Sequence, residues 1–162
     1  MPQLTSPRLA YRAVSPTDVD TFHALATDEH IRRYLLDGLV VPRAWAADEI
    51  AASERLFSER QLGLWLTFDD GRVVGFCGFR VFAELDAHPQ ILYALLPRAV
   101  GRGLATEMTR ALLAYAETIG FAPVRAGVDE INTASLRVLE KAGFRRTHTL
   151  PGPFGATAMY ER

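Results

Sequence analysis

The chain has 162 residues, 49% of them hydrophobic, and its 18 lysines and arginines nearly balance 19 aspartates and glutamates, for a net charge of −1. This length and composition predict one domain over residues 1–162 with a sizeable core, and the balanced charge gives no attraction to nucleic acid or to an anionic membrane surface. The single cysteine, Cys77, excludes an internal disulfide and a cysteine-based zinc cluster, and the four histidines lack ligand spacing, so we expect no bound metal.

The N-terminal third is predicted to contain one strand and three helices. Residues 9–14 have strand character, and Ser15 followed by a proline is typical of a helix start, so a helix is expected to reach about residue 27. A short helical segment over 28–36 and an amphipathic helix over 42–60 follow, separated by an Asp-Gly break.

The middle of the chain changes to the periodicity of strands. Strands are predicted over about 62–68, 72–81 and 90–96, and the sequence Asp69-Asp70-Gly71 is typical of a hairpin turn between the first two. We therefore expect an antiparallel meander with a loop over 83–90 before its last strand.

The C-terminal part alternates helices and strands. A helix over about 103–119 is predicted to end at Gly120. The strand after it is expected to lie parallel to the strand before it, because a strand–helix–strand connection is a right-handed crossover. The remaining predicted elements are that strand over 124–128, a last helix over 132–142, and strands over 144–150 and 156–160.

The junction between the 90–96 strand and the following helix carries the sequence Arg98-x-x-Gly101-x-Gly103. A strand that enters a Gly-x-Gly turn at a helix N-terminus leaves several backbone N–H groups directed at one point, which suits a pyrophosphate. Two glycines also suit a flexible turn without a ligand. Thr106 occupies the third-glycine position of the dinucleotide fingerprint, and no Gly-Lys-Ser or Gly-Lys-Thr occurs, so neither a Rossmann nor a Walker site is predicted.

The same segment carries a resemblance to a known family. Arg98-Ala99-Val100-Gly101-Arg102-Gly103 matches the Q/R-x-x-G-x-G/A motif of the GNAT superfamily of acetyl-coenzyme A dependent N-acetyltransferases, which the sequence resembles. Four segments, 6–12, 28–35, 103–107 and 132–144, are similar to the branch that acetylates the N-termini of ribosomal proteins. The resemblance implies an α/β (α+β) fold, a GNAT-like single domain with a central mixed, mostly antiparallel sheet of about six to seven strands and helices on both faces.

The resemblance also implies acetyl-coenzyme A as co-substrate and no metal. Backbone amides from Val100 to Thr106, at the helix N-terminus, are expected to bind the pyrophosphate. Asn132 is expected to bind the pantetheine arm, although its position also suits a helix N-cap. The residues predicted to bind the cofactor are Leu95, Leu96, Arg98, Val100, Gly101, Arg102, Gly103, Leu104, Ala105, Thr106 and Asn132.

Two catalytic residues are predicted, Ser135 and Glu84. By resemblance, the Ser135 hydroxyl lies near the departing sulfur and protonates the thiolate, while its alternative interpretation is an ordinary helix-surface hydroxyl. Many members of the branch have a glutamate where this chain has Gln90, which cannot accept a proton. The base therefore lies elsewhere, or none is needed. Among the residues expected in the loop before the fourth strand, Glu84 is preferred over Asp86 and His88 because a carboxylate can also hold the substrate ammonium, while all three also suit an ordinary loop.

The expected mechanism is direct attack of an amine on the thioester in a ternary complex, with backbone N–H groups near 93–95 stabilising the oxyanion. Cys77 lies in an apolar strand with no adjacent base, so we assign it to packing instead of catalysis. Tyr34, Trp45 and Trp65 are candidates for the acceptor pocket or, alternatively, for the apolar core. The alternative function is a non-catalytic module that binds or senses acyl-coenzyme A.

The expected partner is an amine acceptor, either a peptide N-terminus or a small molecule. Nucleic acid and membrane are not expected as partners, and the protein is expected to be a monomer or homodimer. Met1-Pro2-Gln3 lacks the basic-then-apolar pattern of a leader, and no apolar run approaches the roughly 18 residues of a membrane span. A cytoplasmic location is therefore predicted.

Overall fold

The computed structural model describes residues 3–162. Residues 1 and 2, which belong to the predicted domain and to the segment predicted to lack a leader pattern, lie outside the described residues. Its strands and α-helices follow one another in the predicted order, with single 3-10 turns at Pro16–Asp18 and Pro97–Ala99. The elements are β1 (Ala10–Ala13), α1 (Val19–Thr27), α2 (Glu29–Leu35), α3 (Arg43–Arg60), β2 (Leu64–Asp69), β3 (Arg72–Phe82), β4 (Asp86–Leu95), α4 (Leu104–Thr118), β5 (Arg125–Asp129), α5 (Thr133–Lys141), β6 (Arg145–Gly152) and β7 (Gly155–Glu161).

The strands form one sheet in the order β1-β2-β3-β4-β5-β7-β6. Every neighbouring pair is antiparallel except β4 and β5, which are parallel as the crossover through α4 predicted. Asp70 and Gly71 form the β2–β3 turn with φ angles of 48° and 74°, the left-handed values that a two-residue hairpin requires. The predicted mixed, mostly antiparallel sheet is confirmed.

Helices cover both faces of the sheet, because the strands alternate apolar side chains between the two sides. On β4, Ile91 belongs to the core under α4 and α5, and the next residue, Leu92, to the core under α1, α2 and the first half of α3. The two cores therefore lie on opposite faces of the middle of the sheet.

Among residues 3–162, no helix has the length and apolarity needed to cross a membrane.

The fourth strand is longer than the sequence predicted. Asp86 and His88, which were expected in a loop, lie in β4, and only residues 83–85 form the turn before it. Long-range contacts explain the difference. Asp86 pairs with Arg125 of β5 at 2.5 Å, and the His88 ring lies 2.8 Å from the Pro123 carbonyl oxygen.

The parallel strands β4 and β5 separate soon after they meet. Gln90 is opposite Arg125, and this is the only ladder pair between the two strands within residues 3–162. Both strands continue in the same direction beyond this pair, over 91–95 and 126–129. The result is a fork in the sheet, open toward the β4–α4 loop and the N-terminus of α5.

Candidate functional site

The loop from β4 to α4 has two left-handed glycines. A 3-10 turn over Pro97–Ala99 follows the strand, and Gly101 and Gly103 then have φ angles of 78° and 75°. A side chain at either position strains the backbone, which explains why the motif has glycine there. A Cβ at Gly101 meets no protein atom within 4 Å, so the loop surface at this residue is open.

Six consecutive backbone N–H groups of this loop have no partner. Within the described residues, the N–H groups of 101–106 donate no hydrogen bond, and the first bond of α4 is the one from Glu107 N–H to the Gly103 carbonyl at 3.1 Å. These groups lie at the N-terminus of a 15-residue helix, whose dipole adds positive potential. The free N–H groups that the predicted anion site requires are therefore present, and their role in binding stays a prediction.

Both motif arginines hold the loop against the β2–β3 hairpin. Arg102 pairs with Asp69 at the end of β2, at 2.6 Å, and Arg98 donates to the Val73 carbonyl oxygen of β3. An arginine has five N–H donors, so each keeps donors free for a phosphate. Their expected contacts with the cofactor stay predictions.

The other predicted cofactor residues differ in how accessible they are. Leu95 and Leu104 are buried in the core beneath α4, and the Leu96 N–H donates to the Val74 carbonyl at 2.8 Å, so it is not available to a ligand. Val100 is 44% exposed. Val100, Ala105 and Thr106 complete the rim of the loop.

Arg8 is a loop contact that the sequence analysis did not single out. Its guanidinium pairs with Glu107 at 2.6 Å and donates to the Arg102 carbonyl oxygen at 2.8 Å. Glu107 also accepts from the Ser6 hydroxyl and from the Arg8 backbone N–H. Burial favours a higher pKa for Glu107, but these hydrogen bonds and the Arg8 charge outweigh it and lower the pKa.

A cleft of about 360 Å³ lies beside Gly103, between the N-terminal segment and α4. Its size falls within the range of small-molecule sites, which is roughly 300–1,000 Å³. Its lining includes Thr5, Ser6, Arg8, Gly103, Thr106 and Arg110.

The N-terminus of α5 faces the fork from the other side. Asn132 Oδ1 accepts the Ser135 N–H at 3.3 Å, so the N-cap interpretation of Asn132 is correct. Across the fork, the Tyr93 hydroxyl donates to the Ser135 carbonyl oxygen at 3.3 Å, and burial raises the pKa of Tyr93 to about 12. The Ser135 hydroxyl makes no hydrogen bond in the described part of the chain.

Glu84 is not brought to this fork. It is exposed in the turn over 83–85, nine positions before Tyr93. At about 3.3 Å per strand residue, the part of β4 from Asp86 to Tyr93 alone spans about 23 Å. Glu84 is therefore far from Ser135 along the sheet, and its proposed role as base stays a prediction.

Cys77 is fully buried, and burial raises the pKa of its thiol to about 12. The Thr67 hydroxyl is its hydrogen-bond partner at 3.7 Å. A thiol in this environment stays protonated, so it is not a nucleophile. Among residues 3–162, no group of three or more His, Cys, Asp or Glu side chains could hold a metal ion.

The three aromatic candidates for the acceptor pocket have different positions. Trp65 is a core residue, with 4% exposure. Trp45 stacks on Phe22 with ring centroids 6.0 Å apart. Tyr34 is the one that meets the C-terminal hairpin, edge-on to Phe154 at 6.2 Å. Tyr34 is therefore still a candidate for either the acceptor pocket or the apolar core, whereas Trp65 belongs to the core.

Comparison with known sequences identifies relatives of the chain. A family model described as the acetyltransferase (GNAT) domain matches residues 8–145. The mycothiol acetyltransferase of Rhodococcus opacus (strain B4) is 30% identical over 120 residues, which cover 65% of this chain and 39% of that protein. The chain thus spans about two fifths of the length of this relative.

Solved structures have the same fold. A GnaT-family acetyltransferase from Bordetella pertussis has a TM-score of 0.86 at 25% identity, covering 100% of this chain and 99% of that one. The ribosomal L7/L12 alpha-N-protein acetyltransferase RimL, in complex with coenzyme A, has a TM-score of 0.80 at 18% identity, covering 97% and 94% of the two chains. Because the family model matches residues 8–145, which are most of the chain and include the predicted motif, this chain belongs to the GNAT acetyltransferase domain family.

Proposed function

We propose that this protein is an N-acetyltransferase that moves an acetyl group from acetyl-coenzyme A to a primary amine. The observation that carries the proposal is the row of six free N–H groups over 101–106, placed at a helix N-terminus and beside the open fork. Family membership and the coenzyme A complex of RimL, which has the same fold, support it.

Coenzyme A has a pyrophosphate between its nucleotide and its pantetheine arm, and the loop amides are the group that suits this diphosphate. The cleft beside Gly103 offers Arg8 and Arg110 to the nucleotide end. The Asn132 side chain lies at the mouth of the fork, and its amide nitrogen is free for the pantetheine arm. The thioester then lies along the 93–95 segment of β4.

The chemistry needs a neutral amine, a stabilised oxyanion and a protonated leaving group. Beyond Gln90, β4 has no strand partner on the β5 side within residues 3–162, so its backbone N–H groups near 93–95 can stabilise the oxyanion. The partly buried Ser135 hydroxyl lies at the same fork and can protonate the departing thiolate. The reaction then proceeds by direct attack, without an acetylated cysteine.

The acceptor is a primary amine, and we propose an α-amino group over a lysine side chain. An α-amino group has a pKa of about 7.7–8.0, against about 10.4 for lysine, so more of it is neutral at pH 7. Small amines remain a second acceptor class, since one relative is a mycothiol acetyltransferase. The expected cytoplasmic location and the monomeric or homodimeric state stay predictions.

An acetyl-transfer screen tests the proposal. The acceptors are a peptide with a free N-terminus and blocked lysines, the N-terminally blocked peptide with a free lysine, free amino acids, polyamines and aminoglycosides. We expect release of coenzyme A thiol, fastest with the first peptide. Tight acetyl-coenzyme A binding without turnover of any amine would instead support the acyl-coenzyme A binding module, which the replacement of a glutamate by Gln90 favours.

A further inference from the structure

The last residue of β5, Asp129, lies at the level of the proposed acetyl site. The parallel register pairs Gln90 with Arg125. Asp129 is four residues beyond Arg125, as Ala94 is four residues beyond Gln90, and parallel strands have the same rise per residue. Asp129 is thus across the fork from the 93–95 segment of β4, and its carbonyl oxygen accepts the Asn132 N–H at 2.8 Å.

The Asp129 carboxylate is half-buried and has one free oxygen. Its Oδ1 accepts the Thr157 hydroxyl of β7 at 3.3 Å, and its Oδ2 accepts no hydrogen bond within residues 3–162. The negative charge of Asp37, in the loop after α2, acts on this carboxylate. Burial first, and the negative charge of Asp37 second, raise the pKa of Asp129 against the effect of the Thr157 hydrogen bond.

A second observation, at Gln90, places an unsatisfied buried donor on this face beside the fork. Gln90 is 1% exposed, and its Nε2 has no hydrogen-bond partner. Its Oε1 lies 3.3 Å from the position that a Cβ on Gly127 would take, where Met159 and Leu85 also lie, so the amide reaches β5 at the base of the fork. Gly127 and Asp129 are two residues apart and hence on the same face of β5. A buried donor without a partner is costly unless a water or ligand oxygen accepts from it.

We propose that Asp129 is the proton acceptor of the transfer reaction, a role that rests on the proposed function. Its free Oδ2 binds the acceptor ammonium and takes one N–H proton. The neutral amine then attacks the acetyl carbonyl carbon, forming the N–C bond. When the C–S bond breaks, its electron pair leaves with sulfur, and the second amine proton passes to the thiolate through the Ser135 hydroxyl. The products are the acetamide, free coenzyme A thiol and one proton, which Asp129 releases to solvent.

The test compares Asp129→Asn with two carboxamide controls. Asparagine keeps an oxygen for the Thr157 hydroxyl but cannot take a proton. We expect kcat/KM for the best amine to fall at least about 100-fold, the scale of general-base catalysis. The dissociation constant of acetyl-coenzyme A should change less than threefold, which also shows that the variant is folded. Asp48→Asn, which makes the same change at an exposed carboxylate of α3, should retain kcat/KM within about twofold.

The pH profile gives a second readout. The carboxylate is the active form, so wild-type kcat/KM should fall as the pH falls through the raised pKa of Asp129, and Asp129→Asn should lose this acid limb. Asp37→Asn removes the negative charge that acts on Asp129, so its acid limb should move to lower pH. An Asp129→Asn enzyme within threefold of wild type with the same acid limb overturns the assignment, as does a 100-fold loss in Glu84→Gln alone.

Failure of the proposed function looks different. In that case wild type itself transfers acetyl to no amine, and the same amines are titrated calorimetrically into the protein saturated with coenzyme A. Affinity at least tenfold weaker in Asp129→Asn then supports ammonium binding at Asp129. Equal affinities of wild type and variant overturn it.

Discussion

At the scale of single residues, removal of the Ser135 hydroxyl tests the leaving-group step most directly. Ser135→Ala should lower kcat about tenfold to a hundredfold with little change in acetyl-coenzyme A affinity, because proton donation to the thiolate is felt in the transition state. The matched control is Thr133→Ala, which removes an exposed hydroxyl from the same first turn of α5. Steady-state kinetics checks the split, and equal kcat values for Ser135→Ala and wild type would assign the proton to water.

Substitution of Cys77 tests whether the reaction has a covalent acetyl-enzyme step. Cys77→Ala should lower the free energy of unfolding by about 1–2 kcal/mol, because it removes a fully buried side chain from the packed sheet. Acetyl transfer should continue at a rate within about twofold of wild type. Mass spectrometry of the enzyme with acetyl-coenzyme A should find Cys77 unmodified; an acetylated thiol and an inactive alanine variant would contradict the direct-attack mechanism.

Residue contacts also explain which site predictions were possible. Gly101 and Gly103 could be assigned from sequence because the local backbone and the neighbouring helix determine their geometry. The role that we propose for Asp129 has no such local signal, since Asp37 and Thr157, which influence its carboxylate, are far from it in the chain. Glu84 was chosen for its closeness to the fourth strand in sequence, and its role as base stays a prediction.

At the scale of elements, one carboxylate ties β1 to the turn before α1. Asp18 accepts from Arg12 of β1 at 2.8 Å and from the Ser15 N–H at 2.9 Å, and it is 6% exposed. The Arg12 hydrogen bonds are the largest cause that lowers the pKa of Asp18 from 3.8 to about 2, against the opposite effect of burial. This contact fixes how the first helix leaves the sheet.

The lowered pKa predicts the sign of a pH effect on stability. Because the folded protein holds the Asp18 proton less tightly than the unfolded chain, the contribution is complete above pH 3.8 and disappears as the pH falls toward about 2. Asp18→Asn should lower the free energy of unfolding at pH 6 by at most about 2 kcal/mol, since Arg12 is half exposed and screened.

Urea unfolding at pH 6 and at pH 2 checks this prediction. The control is Asp20→Asn, which breaks the exposed pair with Arg43 on α3 and should change little at either pH. If the free energies of unfolding of wild type and Asp18→Asn differ by the same amount at pH 6 and at pH 2, the contact acts by packing and not by charge.

Element boundaries were predictable where turn residues are decisive. Gly71, Gly120 and Gly143 all have positive φ angles at predicted ends of elements. The start of β4 was not predictable, because a segment containing His88 and a proline resembles a loop until Arg125 and the Pro123 carbonyl provide partners.

At the scale of the whole molecule, the sheet and its fork place the site. The order of elements was sufficient to predict helices on both faces and a parallel β5. The fork depends on where β4 and β5 separate after a single ladder pair, which no local pattern contains. The same holds for the N-terminal segment, where Arg8 reaches the carbonyl oxygen of Arg102 in the anion loop from 94 residues away.

The central claim is that the 101–106 amides bind the pyrophosphate of acetyl-coenzyme A. Gly101 and Gly120 offer a matched pair, with φ angles of 78° and 70° and no protein atom within 4 Å of an added Cβ. Alanine at either position costs about 1 kcal/mol of stability through the backbone. Calorimetric titration with acetyl-coenzyme A should show at least tenfold weaker binding for Gly101→Ala and wild-type binding for Gly120→Ala. Wild-type affinity in a folded Gly101→Ala protein would contradict the claim.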